Sequence, residues 1–112
     1  MSGPKRLLLA ALACVPFAAF SADPSVTIES PADGAKLDAM AQTKIVYAVE
    51  PGPQGDHTHL YVDGKEAAIL RSLKGSHTLA TLAAGAHDIC IKVVNKAHTP
   101  IGVEKCIKVS VQ

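Results

Sequence analysis

After residue 22 the chain consists of short runs in which apolar and polar residues alternate, separated by turn-forming clusters. Seven runs predict β-strands, and no helical period is sustained for more than a turn. The predicted strands are 26–29, 43–49, 58–62, 65–70, 77–82, 88–94 and 103–111. Short strands with turn signals about every ten residues are typical of an all-β sandwich or barrel.

Two connections between the predicted strands have a clear local preference. Asp63 and Gly64 join two strand-like runs, and a two-residue type I′ turn requires positive φ at both central positions. The segment 51–56 is rich in Pro and Gly, and it predicts a loop because proline cannot donate to a strand ladder. Residues 35–42 have no defined pattern.

The last two predicted strands fit each other in one antiparallel register. It creates one cysteine pair, two opposite-charge pairs and two apolar pairs, because side chains alternate between the faces of a sheet. The pairs are Cys90–Cys106, Asp88–Lys108, Lys92–Glu104, Ile89–Ile107 and Val93–Val103. Opposed residues lie about 4.5–5.5 Å apart at Cα, within reach of a disulfide. We therefore predict a Cys90–Cys106 disulfide, with two free thiols or a two-cysteine metal site as alternatives.

Residues 1–22 have the layout of a cleaved secretory signal peptide. Lys5 and Arg6 precede the apolar run 7–20, and small residues follow that run. The run is shorter than the roughly 20 residues that span a bilayer, and no later stretch is apolar enough to do so. We expect a periplasmic or secreted protein without a membrane span.

Removal of this segment leaves one expected domain, 23–112. Cleavage is expected after Ala22, with cleavage after Ser21 as the alternative. Lipidation at Cys14 is a second interpretation, but the apolar residues that follow this cysteine argue against a lipoprotein anchor. A domain of about ninety residues buries only a modest share of its surface, so a disulfide stabilises it usefully. Disulfides also persist in the oxidising compartments where we expect the protein.

The composition excludes several classes of function. The net charge is +1, and the chain after residue 22 has no run of Lys or Arg, which disfavours nucleic acid and anionic membranes as partners. The chain after residue 22 has no Trp and few aromatic residues, so it lacks the stacking surface expected of proteins that bind single-stranded nucleic acid or carbohydrate. No nucleophile elbow, phosphate loop or His-Glu-x-x-His motif is present. We therefore expect a non-catalytic protein.

Three motifs resemble those of bacterial immunoglobulin-like repeat domains. They are Ser-Pro-Ala-Asp-Gly at 30–34, Leu-Tyr-Val-Asp-Gly at 60–64, and Leu-Ala-Ala-Gly-Ala-His-Asp-Ile at 82–89. The chain is also similar to small uncharacterised secreted bacterial proteins with a His-x-His strand. The resemblance implies an immunoglobulin-like sandwich of about seven antiparallel strands, used for adhesion, scaffolding or ligand presentation. It implies no catalytic residues.

The histidines are the candidate functional residues. In an immunoglobulin-like strand order, four of the five map to one end of the sandwich, beside Asp56, and His87 maps to the other. The four are His57, His59, His77 and His98. Side chains two residues apart on a strand share a face, so we expect His57 and His59 to face outward, away from the core.

A His-x-His pair with a third histidine from a loop is a plausible set of metal ligands. Imidazole suits copper, zinc or nickel rather than calcium or magnesium, and copper or zinc is the expected ion. We take His57, His59 and His98 as candidate ligands, with His77 and Asp56 as outer candidates, whereas Met40 is expected at the other end. The alternative is a protein-interaction or structural module without metal, in which these histidines are only polar surface residues.

Overall fold

A computed structural model describes residues 23–112, so the predictions of a signal peptide and of lipidation at Cys14 lie outside the described residues. The described residues form eight β-strands, and none of them forms a helix that could cross a membrane. The strands are β1 (Ser25–Ser30), β2 (Lys36–Leu37), β3 (Thr43–Glu50), β4 (His57–Val62), β5 (Lys65–Leu70), β6 (Lys74–Leu79), β7 (Gly85–Val94) and β8 (Pro100–Val111).

The strands form two sheets, which confirms the predicted all-β sandwich. One sheet has the order β1-β3-β6, and the other has the order β2-β8-β7-β4-β5. The core lies between them and contains alternate residues of the long strands, as the period-two pattern requires. Its fully buried members include Ile45, Leu60, Ile89 and Ile91, and each such side chain contributes about 1.5–3 kcal/mol by leaving water.

The eighth strand, β2, lies in the segment 35–42, where no pattern predicts an element. It pairs in parallel with the end of β8, Lys36 opposite Ser110. Backbone hydrogen bonds from Ser110 N to Ala35 O, at 2.9 Å, and from Gln112 N to Leu37 O, at 3.0 Å, hold it. A strand of two residues has no alternation to read, so only its pairing partner defines it.

The final hairpin adopts the predicted register over most of its length. The ladder contains the Cys90–Cys106, Asp88–Lys108, Lys92–Glu104 and Ile89–Ile107 pairs, and the two cysteines form a disulfide with a Cα–Cα distance of 4.1 Å. The predicted Val93–Val103 pair is wrong. An irregularity between Lys92 and Val94 shifts the register, so that Val94 lies opposite Pro100 and β8 begins earlier than predicted.

Strand β6 is also displaced from its predicted position at 77–82. It begins at Lys74 and ends at Leu79, and it pairs with β3 from Lys74 opposite Ala48 to Leu79 opposite Thr43. His77 therefore lies within the strand, opposite Ile45, instead of at its start. The pairing with β3 sets these bounds, whereas Gly75 and Ser76 carry little strand signal of their own.

The Asp63-Gly64 turn has the expected positive φ angles, 52° and 80°. The side chain of Asp63 connects this hairpin to β7. Asp63 Oδ2 accepts a hydrogen bond from His87 Nδ1 at 2.6 Å, and Asp63 Oδ1 accepts one from Asp88 N at 2.9 Å. His87 Nε2 donates to Ala83 O at 2.7 Å. Both nitrogens of His87 face acceptors, and these bonds, above all the one to Asp63, raise its pKa. His87 therefore fastens the end of the sandwich that carries this turn.

Candidate metal centre

His57 and His59 lie on β4, an interior strand of the five-stranded sheet, on the face opposite Leu60. In the ladder between β4 and β7, His57 lies opposite Val94 and His59 opposite Lys92. Leu60, whose side chain is buried in the core, fixes which face the neighbouring histidines take, because side chains alternate along a strand. The two imidazoles therefore project from the same outer face.

Both imidazoles are nevertheless buried. The exposed fraction is 1% for His57 and 5% for His59. The expected face is observed, and the rings are buried on that face because the loop after β7 places His98 over them. The His98 ring centroid lies 4.6 Å from that of His57 and 5.2 Å from that of His59.

Three imidazole nitrogens converge at this position. The distance from His57 Nε2 to His59 Nε2 is 3.2 Å, and His98 Nδ1 lies 3.2 Å from the first nitrogen and 3.0 Å from the second. These three residues form a group whose ligand atoms are close enough to hold one metal ion. The near-equilateral triangle joins two residues that lie two positions apart on one strand to a third residue about forty positions away.

Carboxylates hold the other nitrogen of each buried histidine. Asp56 Oδ2 lies 2.8 Å from His57 Nδ1, and Glu66 Oε1 lies 3.0 Å from His59 Nδ1. Asp56 accepts a hydrogen bond from His57 Nδ1, and the negative charge of Glu66 beside His59 Nδ1 likewise favours a proton on that nitrogen, so in each neutral imidazole Nε2 presents its lone pair. Carboxylate–histidine pairs of this kind fix the tautomer and orientation of metal-ligating histidines.

The orientation of the two buried rings creates an electrostatic repulsion within the centre. Two neutral rings directed in this way place two Nε2 lone pairs 3.2 Å apart inside a buried pocket. Their repulsion is relieved only by an electrophile between them, either a shared proton, such as one on His98 Nδ1, or a cation. Burial, the largest cause, lowers the pKa of His59, and the neighbouring His57 and His98 lower it further, although Glu66 opposes them. The lowered pKa favours the neutral imidazole of His59, the form that binds metals.

The loop that carries His98 is held by Asn95. The Asn95 side-chain oxygen accepts hydrogen bonds from Ala97 N at 2.9 Å and Thr99 N at 3.0 Å. The backbone adds bonds from Asn95 N to Thr99 O and from His98 N to Asn95 O, both 2.9 Å. His98 has φ 63°, a left-handed conformation that is uncommon for a residue other than glycine. Such conformations persist where surrounding contacts over-determine them, as at ligand sites.

The remaining candidates lie elsewhere or act indirectly. His77 belongs to β6 of the three-stranded sheet and is not in the three-histidine group, because β6 begins at Lys74 and carries His77 away from the strand end. Met40 is 88% exposed in the connection after β2. Asp56 contacts Nδ1 of His57, the ring nitrogen that is not directed at the other two histidines.

Glu66 is the residue that sequence reasoning missed. The signal was present: a two-residue turn at Asp63-Gly64 places Glu66 opposite Tyr61, and Tyr61 shares a face with His59. Glu66 is therefore a diagonal neighbour of His59, a distance that a long side chain can reach. The irregularity between Leu60 and Tyr61, which shifts the register beyond this point, has no signal in the sequence.

Comparisons with solved structures identify the fold. The chain is similar to a fibronectin(III)-like module of CbhA from Clostridium thermocellum, with a TM-score of 0.66 and 15% identity over 78% of this chain and 96% of that one. It is similar to part of an FMN-binding β-glucuronidase from Faecalibacterium prausnitzii, with a TM-score of 0.56 and 18% identity over 82% of this chain and 12% of that one.

A third similar structure is the extracellular domain of a putative one-component system from B. thetaiotaomicron, with a TM-score of 0.51 and 14% identity over 79% of this chain and 15% of that one. No protein-family model and no curated protein sequence matches the chain. At these identities the likeness establishes an immunoglobulin-like sandwich related in shape to fibronectin(III) modules. The function must be argued from the site.

Proposed function

We propose that residues 23–112 form a non-catalytic module that binds a divalent transition metal, copper or zinc, through His57, His59 and His98. The module acts in the periplasm or outside the cell, after removal of a signal peptide at 1–22. The observation that carries the proposal is the convergence of three imidazole nitrogens within 3.0–3.2 Å of one another.

The spacing of the nitrogens suits a single ion. Metal–nitrogen bonds are about 2.0–2.1 Å long, so two nitrogens on one ion lie about 2.9 Å apart at a right angle and about 3.3 Å apart at the tetrahedral angle. The three observed separations fall between these values. Asp56 and Glu66 support the same reading, since they direct both Nε2 lone pairs at one point.

The donor set favours copper and zinc. Imidazole nitrogen binds both ions well, and copper(II) stands highest in the affinity order of the divalent first-row metals. Calcium and magnesium prefer oxygen ligands. Among residues 23–112 the sulfur atoms are remote or committed, because Cys90 and Cys106 form a disulfide and Met40 lies in the exposed connection after β2. The disulfide also supports an oxidising compartment.

Calorimetric titration of the purified, disulfide-intact protein with copper(II) and with zinc(II) tests the proposal. We expect saturable binding of one ion per chain. The His98→Ala variant should lose most of this affinity while remaining folded, since His98 is exposed. The matched control is His77→Ala, which removes a histidine outside the group and should bind like the unmodified protein.

Absence of binding with both ions would contradict the metal site. The protein would then be an interaction or structural module that works through its sheet edges or loops without metal. Equal loss of affinity in His98→Ala and His77→Ala would also contradict the assignment of the ligands.

A further inference from the structure

We propose that the metal bound by His57, His59 and His98 keeps at least one open coordination position, and that this position takes a small anionic donor from solution. The inference rests on the proposed function and extends it. The protein would then be a site where a bound metal meets an exchangeable ligand, instead of a closed structural site.

The triangle of nitrogens places the ion to one side. Three nitrogens in a plane around an ion would lie about 3.6 Å apart, given bonds of about 2.05 Å. The observed separations of 3.0–3.2 Å are shorter. An ion bonded to all three nitrogens therefore lies about 1 Å out of their plane, with N–metal–N angles of about 94–103°. All three protein ligands lie on one side of the ion, and its other side is free of them.

The described residues supply no fourth ligand of the usual types. The group of ligand atoms around the centre contains these three histidines and no further His, Cys, Asp or Glu in the range 23–112. The carboxylates of Asp56 and Glu66 lie beside the Nδ1 atoms, on the far sides of the rings. Three protein ligands with an open position characterise metal sites that exchange ligands, whereas structural zinc sites have four.

The centre is accessible from the loop that carries His98. His57 and His59 are buried, but His98 and the residues on either side of it in the loop, Ala97 and Thr99, are exposed. A small molecule can therefore approach the ion at this edge without unfolding the sheet.

The charges around the centre favour an anion as the exchangeable ligand. The bound ion carries two positive charges and its three ligands are neutral. Arg71 adds a positive charge that acts on His59, whereas the Lys92 ammonium, on the residue opposite His59 in the ladder, is paired with Glu104 at 3.9 Å. Asp56 and Glu66 offset part of this positive charge but lie behind the rings, so the ion presents its own charge at the open position.

Azide titration of the copper(II)-loaded protein tests the inference. Azide is a small anion whose bond to copper(II) produces a ligand-to-metal charge-transfer absorption. We expect this absorption to appear and saturate with one or more azide ions per copper, with a matching change in the electron paramagnetic resonance spectrum. Copper should remain with the protein after gel filtration. The His77→Ala variant, loaded in the same way, is the control and should behave identically.

The outcomes separate the two proposals. If copper binds but millimolar azide changes neither spectrum, the coordination sphere is closed and the further inference is wrong, while the proposed function stands. If azide removes the copper from the protein, the open position is likewise contradicted. If copper does not bind at all, both proposals fail.

Discussion

The Asp56 carboxylate holds the histidine that follows it in the chain: Asp56 Oδ2 lies 2.8 Å from His57 Nδ1. Asp56 is itself fixed, because its backbone N donates to Val94 O at 2.8 Å and so continues the β4–β7 ladder. A carboxylate anchored in this way sets both the tautomer and the orientation of the His57 ring.

Replacing Asp56 should therefore weaken metal binding without unfolding the protein. We expect Asp56→Ala to lower the affinity for copper(II) or zinc(II) about 10–100-fold, the usual effect of losing a carboxylate behind a ligating histidine. Asp56→Asn, whose amide oxygen still accepts from Nδ1, should recover part of the loss. Calorimetry measures the affinities. The control is Glu29→Ala, which removes an exposed carboxylate of the other sheet. An equal loss of metal affinity in this variant would mean that Asp56 acts only through its negative charge and not through its contact with His57.

Asn95 should act on the metal through the loop. The Asn95→Ala substitution removes the acceptor of two hydrogen bonds, each contributing about 0.5–1.5 kcal/mol, that hold His98 in its left-handed conformation. We expect about tenfold weaker metal binding, because the loop must be ordered again when His98 binds. Asn95→Asp keeps an acceptor oxygen and should largely restore affinity. Lys96→Ala changes an exposed residue of the same loop and serves as the control. Unchanged affinity in Asn95→Ala would contradict the role.

Thr58 lies between the two ligating histidines but faces the core. It is fully buried, and its hydroxyl has no hydrogen-bond partner among the described residues. A buried hydroxyl without a partner costs about 1–3 kcal/mol, so Thr58→Val should stabilise the protein by about 1 kcal/mol. For a domain of this size the melting temperature rises by about 4–8 °C per kcal/mol. Thr58→Ser keeps the hydroxyl and loses a methyl group, and it should melt lower. A lower melting temperature for Thr58→Val would reveal a partner for the hydroxyl.

The Asp63–His87 pair should make stability depend on pH. Its hydrogen bond raises the pKa of His87 from 6.5 and lowers the pKa of Asp63 from 3.8. The contribution of the raised histidine is complete below about pH 6.5 and is lost as pH rises through its folded pKa. The contribution of the lowered carboxyl is complete above its unfolded pKa and is lost as pH falls through its folded pKa. Stabilisation by the pair is therefore greatest between about pH 3.8 and pH 6.5, the unfolded-state pKa values of the two groups.

Denaturant unfolding of the unmodified protein and of His87→Ala at pH 5.5 and pH 9 measures this dependence. The difference in free energy of unfolding should be larger at pH 5.5, where His87 is charged in both the folded and unfolded states, than at pH 9. The other ionisable groups are the same in both proteins, so their contributions cancel in the difference. A difference that is the same at both pH values would mean that His87 acts only by packing.

Much of the fold can be predicted from local sequence patterns. Strand β5 has the bounds that its residues predict, and the Asp63-Gly64 turn forms as its sequence requires. The Cys90–Cys106 register was predictable because a one-residue slip would reverse every pair on both faces. Strands β2 and β6 were missed or misplaced because their bounds depend on pairing with β8 and β3 rather than on their own side chains.

The candidate site was likewise predictable from the sequence only in part. The sequence by itself determined that His57 and His59 share a face, because side chains two apart on a strand always do. It did not determine that both rings are buried, that Glu66 reaches His59 across an irregular register, or that His98 completes the triangle while His77 does not. Only the tertiary structure decided these points. Each depends on how a loop or a neighbouring strand packs over β4, and contacts between residues far apart in sequence leave no local pattern to read.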